Sequence, residues 1–136
     1  MFPPDSKIII VDDSNFTRTM LTRALKDLGY RKVAEAESVK AAQQYLESQD
    51  AAAPVHLIIT DLNMPELSGL DLLKWLRAHG AFNSIPVIML TTAQEKDNII
   101  EAGKLGVSQY MIKPFSAAQL KERLEKTWKN LKPASS

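Results

Sequence analysis

Five short stretches rich in Ile, Val, Leu or Met predict strands, at residues 7–11, 32–35, 55–60, 87–90 and 109–112. Three of them are nearly continuous in apolar side chains, the pattern of a strand covered by helices on both faces. Between these runs the apolar spacing becomes helical. Residues 16–28 carry Met20, Leu21, Ala24, Leu25 and Leu28 as a stripe that stops at Gly29. A second helix is predicted over 38–49, with Ser38 placed to cap its first turn. The third, from about 69 to 79, lines up Leu72, Leu73 and Leu76 and ends near Gly80, and the fourth spans 96–105 and is closed by Gly106. Ser116 caps the last, which sets Leu120, Leu124, Trp128 and Leu131 along one face and turns Lys121, Glu122, Glu125 and Lys129 outward.

Strands alternating with helices five times predict an α/β fold: a parallel sheet with right-handed crossovers and helices on both faces. A chain of 136 residues is enough for one hydrophobic core. It is therefore read as a single domain, 1–136, with a core from about Lys7 to Leu131. Two stretches, 50–54 and 132–136, read as loose; the second is a natural terminus or the start of a linker.

Composition narrows the function. A net charge of +1 supplies no broad positive field, which argues against direct nucleic-acid binding or an anionic-membrane surface. No apolar run approaches the roughly 20 residues that cross a bilayer, and the N-terminal residues lack the pattern of a secretory signal. The absence of cysteine excludes disulfides and zinc-thiolate sites and fits a cytoplasmic protein.

In an open parallel sheet, ligands sit beyond the carboxyl ends of the strands. Asp12 and Asp13 follow the first predicted strand, Asp61 the third, Thr91 and Thr92 the fourth, and Lys113-Pro114 the fifth. Each has a bland reading alone: a helix cap, a turn former, a β-branched strand end, a solvated lysine. Together they form a site on one rim. Three neighbouring carboxylates stay ionised only if a cation shares the space, and Mg²⁺, with its oxygen ligands and retained waters, is the natural candidate. Direct ligation is assigned to Asp13, Asp61 and the backbone carbonyl of Asn63, with Asp12 acting through water. Asp61 is the preferred nucleophile and phosphoacceptor. Lys113 and the Thr91 hydroxyl then stabilise the transferred oxygens. A cis Lys113-Pro114 bond would aim the lysine inward.

Ile9-Ile10-Val11-Asp12-Asp13, Thr60-Asp61-Leu62-Asn63-Met64-Pro65, Leu90-Thr91 and Lys113-Pro114-Phe115 resemble, in order, the four sequence blocks of the receiver domain of two-component response regulators. Through Asn98-Ile99-Ile100 and Tyr110 the likeness is greatest to the stand-alone chemotaxis type, CheY-like receivers. The resemblance implies strand order 2-1-3-4-5. It implies phosphotransfer to Asp61 from a phosphohistidine on a sensor histidine kinase or phosphotransfer protein, and binding to a downstream protein as monomer or weak dimer. It further implies a switch in which Thr91 and Tyr110 move together, and a partner face on the fourth helix, fifth strand and last helix that includes Lys104, Tyr110 and Arg123. Thr92 is larger than is usual after the switch threonine, and Gln109 stands where close relatives carry glycine.

The chain is thus read as a self-modifying switch and not as an enzyme. One alternative is a receiver cut from a larger regulator or hybrid kinase. A remoter one is an aspartyl-phosphate phosphatase acting on external substrates, but dehalogenase-type enzymes space their two acids two apart, whereas Asp12 and Asp13 are adjacent. No Gly-x-x-x-x-Gly-Lys-Ser/Thr run supports a P-loop hydrolase. His56 and His79 have no second ligand at metal-binding spacing. Met20, Met64, Met89 and Met111 read as packing residues, and Trp75 as partly exposed.

Overall fold

The computed structural model describes residues 1–48, 54–92, 100 and 102–131. Its elements are β1 (Lys7–Val11), α1 (Asn15–Asp27), β2 (Lys32–Ala36), α2 (Val39–Ser48), β3 (Leu57–Asp61), α3 (Gly69–Ala78), β4 (Val87–Thr91), β5 (Gln109–Ile112) and a C-terminal helix (Ala117–Leu131). All strand pairs are parallel, in the order β2-β1-β3-β4-β5. Half of the predicted fourth helix, 96–105, lies outside the described residues; Ile100 and residues 102–104 are helical. The loose segments at 50–53 and 132–136 also lie outside them.

Alternation along the central strands explains the two-sided apolar pattern. Ile9, Val11, Ile58, Val87 and Met89 point to one face, where Ala42 and Leu46 of α2 and Leu72, Leu73 and Leu76 of α3 cover them. Ile8, Ile10, Leu57, Ile59, Ile88 and Leu90 point to the other, against Leu21 and Leu25 of α1 and Leu120 and Leu124 of the C-terminal helix. Reversal of strand order between β1 and β3 opens a crevice at their carboxyl ends.

Caps set the helix starts. Ser14 accepts from the Thr17 amide and begins α1 one residue before the predicted start, while Ser38 accepts from Ala41 as expected. Ser116 and Gln119 bond reciprocally. Gly29 and Gly106 follow helices with φ of 101° and 83°, a conformation that disfavours a side chain.

Four expectations need correction. Met20 is 39% exposed, because α1 turns Leu21 and Leu25 inward and the position before Leu21 lies about 100° around the helix. Leu131 is 38% exposed at the end of the C-terminal helix, where Phe2 packs on Trp128 at 5.2 Å. The predicted third strand, 55–60, shifts to Leu57–Asp61, since the ladder opens with Ile8 opposite Leu57 and closes with Asp61 opposite Leu90. The core also begins earlier than Lys7: Phe2 is buried, and its carbonyl accepts from the Tyr30 hydroxyl at 2.8 Å.

Candidate functional site

Asp12 follows β1 and is fully buried. Its amide donates to the Ala36 carbonyl at 3.1 Å, extending the pairing of β1 with β2 by one rung. Its carboxylate accepts from the Ser14 amide at 2.8 Å through Oδ1 and from Lys113 Nζ at 3.1 Å through Oδ2. Asp13 is exposed at the mouth of the crevice. Asp61 is the last residue of β3 rather than the first beyond it, and it is 7% exposed. Ligand oxygens of Asp12, Asp13 and Asp61 all lie within 4.8 Å of one another.

Lys113 reaches this trio from the residue after β5, across a cis Lys113-Pro114 bond. Its ammonium stands 3.2 Å from Asp61 Oδ1 as well as touching Asp12. Its amide donates to the Thr91 carbonyl at 2.7 Å, which fixes the start of the turn. Burial alone would push the Lys113 ammonium down, but the charges and hydrogen bonds of Asp61 and Asp12 outweigh it, and its pKa stands above the ordinary value. Burial, then repulsion from Asp12, raises Asp61 to about 6, against the opposing pull of Lys113. One ammonium thus falls short of neutralising three acids. The remaining negative charge and the all-oxygen donor set suit a hard divalent cation of the Mg²⁺ kind.

The other predicted residues divide. Thr91 is the buried last residue of β4, and its hydroxyl donates to the neighbouring Thr92 carbonyl at 3.3 Å. Asn63 is exposed in the loop two residues beyond Asp61. Tyr110 is 41% exposed on β5, and its carbonyl accepts from Arg123 Nε at 2.8 Å, so these two meet. Lys104 is exposed on the short helical stretch before β5. His56 stands just before β3 and accepts the Lys7 amide, and Trp75 is half-buried beside His79 and Phe82.

Sequence reasoning misses three contributors. Ser14 orients the Asp12 carboxylate. Gly69 begins α3 directly against the Asp61–Leu62 backbone, donating to the Leu62 carbonyl at 2.8 Å, and a Ser68–Asp71 capping box holds that helix start. Ser68 three residues before Asp71 is a capping signal that could have revealed the second. Arg18 binds the Asp12 carbonyl, and nothing in its spacing marks it.

Comparison with known proteins accords with this geometry. The family model described as response regulator receiver domain matches residues 8–125. The chain is 46% identical over 119 residues to chemotaxis protein CheY1 of Helicobacter pylori strain J99, covering 88% of this chain and 94% of that one. It is 40% identical over 125 residues to chemotaxis protein CheY-3 of Vibrio cholerae, covering 92% and 93%. Among solved structures, the chemotaxis response regulator CheY4 of Vibrio cholerae superposes with a TM-score of 0.81 at 28% identity, covering 90% of this chain and 98% of that chain. With its fold, its acid–lysine rim and a family match over most of its length in agreement, the chain belongs to the response regulator receiver domains.

Proposed function

We propose that the protein is a phosphorylation-activated switch in which Asp61 accepts a phosphoryl group from a phosphohistidine on a sensor histidine kinase or phosphotransfer protein. The contact of Lys113 with both Asp12 and Asp61, brought together from three distant points of the chain, carries this reading. Asp13, Asp61 and the Asn63 carbonyl would hold Mg²⁺, with Asp12 acting through water because both its carboxylate oxygens already accept protein hydrogen bonds. When bound, the ion supplies positive charge for the phosphoryl oxygens. An Asp61 carboxylate oxygen attacks phosphorus in line as the P–N bond to the donor imidazole breaks, leaving an aspartyl phosphate and a neutral imidazole once a proton is taken up. Lys113, held at the rim, pairs with the new anionic oxygens, and the Thr91 hydroxyl turns from the Thr92 carbonyl to donate to them.

Output follows as a population shift. Movement of Thr91 at the end of β4 is felt on β5, where Thr91 pairs with Ile112, and Tyr110 changes its exposure. Lys104, Tyr110 and Arg123 present the altered face to a downstream protein. The names of the Helicobacter and Vibrio relatives favour a chemotaxis pathway.

Intact-mass measurement after incubation with acetyl phosphate and Mg²⁺ tests the chemistry. One phosphoryl group should add to the wild type and none to Asp61→Asn; equal labelling of the two defeats the proposal.

A further inference from the structure

The turn that carries Asp13 is held by a side chain that bonds backbone there and not a carboxylate of the site. Arg18, on the first turns of α1, donates Nη1 to the Asp12 carbonyl at 2.5 Å, Nε to Glu35 Oε1 at 3.2 Å and Nη2 to Asn15 Oδ1 at 3.2 Å. Its side chain is 13% exposed. Glu35 lies on β2, and its second oxygen accepts from the Thr22 hydroxyl at 3.1 Å. One planar guanidinium therefore joins the end of β1, the start of α1 and β2 through a rigid fork of donors that an ammonium lacks.

Covalent geometry gives this staple a consequence for the site. The Asp12 carbonyl belongs to the same rigid peptide plane as the Asp13 amide, so holding that oxygen fixes the plane from which the Asp13 side chain departs. Asp13 is exposed, and its direction is set by the backbone of the turn. Asp12 itself is held at its amide, at both carboxylate oxygens and, through Arg18, at its carbonyl.

We propose that Arg18, anchored by Glu35, is a positioning residue for the acidic pocket: it holds the 12–13 peptide so that Asp13 faces Asp61 at cation-binding distance. The inference rests on the reading of the trio as a Mg²⁺ site. An ordinary helix-to-strand ion pair would support the fold without affecting metal affinity; a positioning residue controls that affinity.

Calorimetric titration of the full chain with Mg²⁺ separates the two, using wild type, Arg18→Met, Arg18→Lys, Glu35→Ala and Asp13→Ala. Arg18→Met should weaken Mg²⁺ binding about tenfold, the lower end of what outer partners of metal ligands contribute. Arg18→Lys, which keeps the charge but not the planar fork, and Glu35→Ala, which removes one anchor of the guanidinium, should fall between that variant and wild type. The Mg²⁺ needed for half-maximal labelling by acetyl phosphate should rise by the same factor, while the rate at saturating Mg²⁺ stays near wild type. Wild-type affinity in a folded Arg18→Met overturns the inference, and if that variant does not fold, wild-type affinity in Glu35→Ala does so. Failure of the wild type to bind Mg²⁺, or wild-type affinity in Asp13→Ala, overturns the metal site itself and this inference with it.

Discussion

A Cβ added to Gly69 would lie 2.4 Å from the carbonyl oxygen of Asp61 and 2.8 Å from Met89 Sδ. The methionine tip can move aside; the carbonyl cannot without shifting the end of β3. The start of α3 and the candidate phosphoacceptor are thus in direct steric contact through backbone.

Gly69→Ala should accordingly be felt at Asp61 as well as in stability. Overpacking against fixed backbone costs roughly 1–3 kcal/mol, read from the urea midpoint. Labelling by acetyl phosphate should slow in the folded variant. An alanine variant with unchanged midpoint and unchanged labelling would show that the helix start yields freely.

Asp61 also sets a pH dependence in Mg²⁺-free buffer. Its folded pKa of about 6 stands above the ordinary 3.8, so between these values the folded state keeps a proton that the unfolded state has released. Stability therefore falls as pH rises through this window, and the penalty is complete above it. A shift of this size corresponds to about 2–3 kcal/mol. Asp61→Asn carries no such penalty, so its advantage over wild type should grow from near zero at pH 4 to about 2–3 kcal/mol at pH 7.5. Denaturant melts of both proteins across that range provide the check, and a gap that does not vary with pH contradicts it.

Removing Lys113 tests the charge balance directly. Lys113→Met leaves Asp12 buried and Asp61 nearly so, without their shared ammonium. The variant should lose about 1–3 kcal/mol in Mg²⁺-free buffer, and Mg²⁺ should recover part of that loss. Its rise in Tm on adding Mg²⁺ should therefore exceed that of the wild type; an equal or smaller rise would mean that lysine and cation do not serve the same charge.

Much of this was legible in the residues. Continuous apolar strands, the capping serines Ser38 and Ser116, and acids placed after successive strands led to the sheet and to the rim that Asp12, Asp13, Asp61 and Lys113 share. What escaped depends on contacts between elements. Helical periodicity places Met20 and Leu21 side by side and cannot decide which one faces the sheet; packing turned Leu21 inward. Phe2 is a lone aromatic near the N-terminus until Trp128 and Tyr30 meet it. Gly69 resembles any glycine at a helix start until the Asp61 carbonyl is seen beside it.

The proposed output face separates from the chemistry in one further experiment. Lys104 is exposed and Arg123 binds the Tyr110 carbonyl at 2.8 Å, whereas the ion pairs of Lys113 are with Asp12 and Asp61. Lys104→Glu should therefore take up one phosphoryl group in the intact-mass assay as the wild type does, while losing phosphorylation-dependent binding to the downstream protein. Arg123→Glu removes the hydrogen bond to β5 as well as the charge, so Arg123→Gln serves as its control. If the glutamate variant fails to bind and the glutamine variant binds partly, charge is what the partner reads. If both fail equally, the hold on the Tyr110 backbone matters more, and if Lys104→Glu and Arg123→Glu both bind as wild type does, the face lies elsewhere.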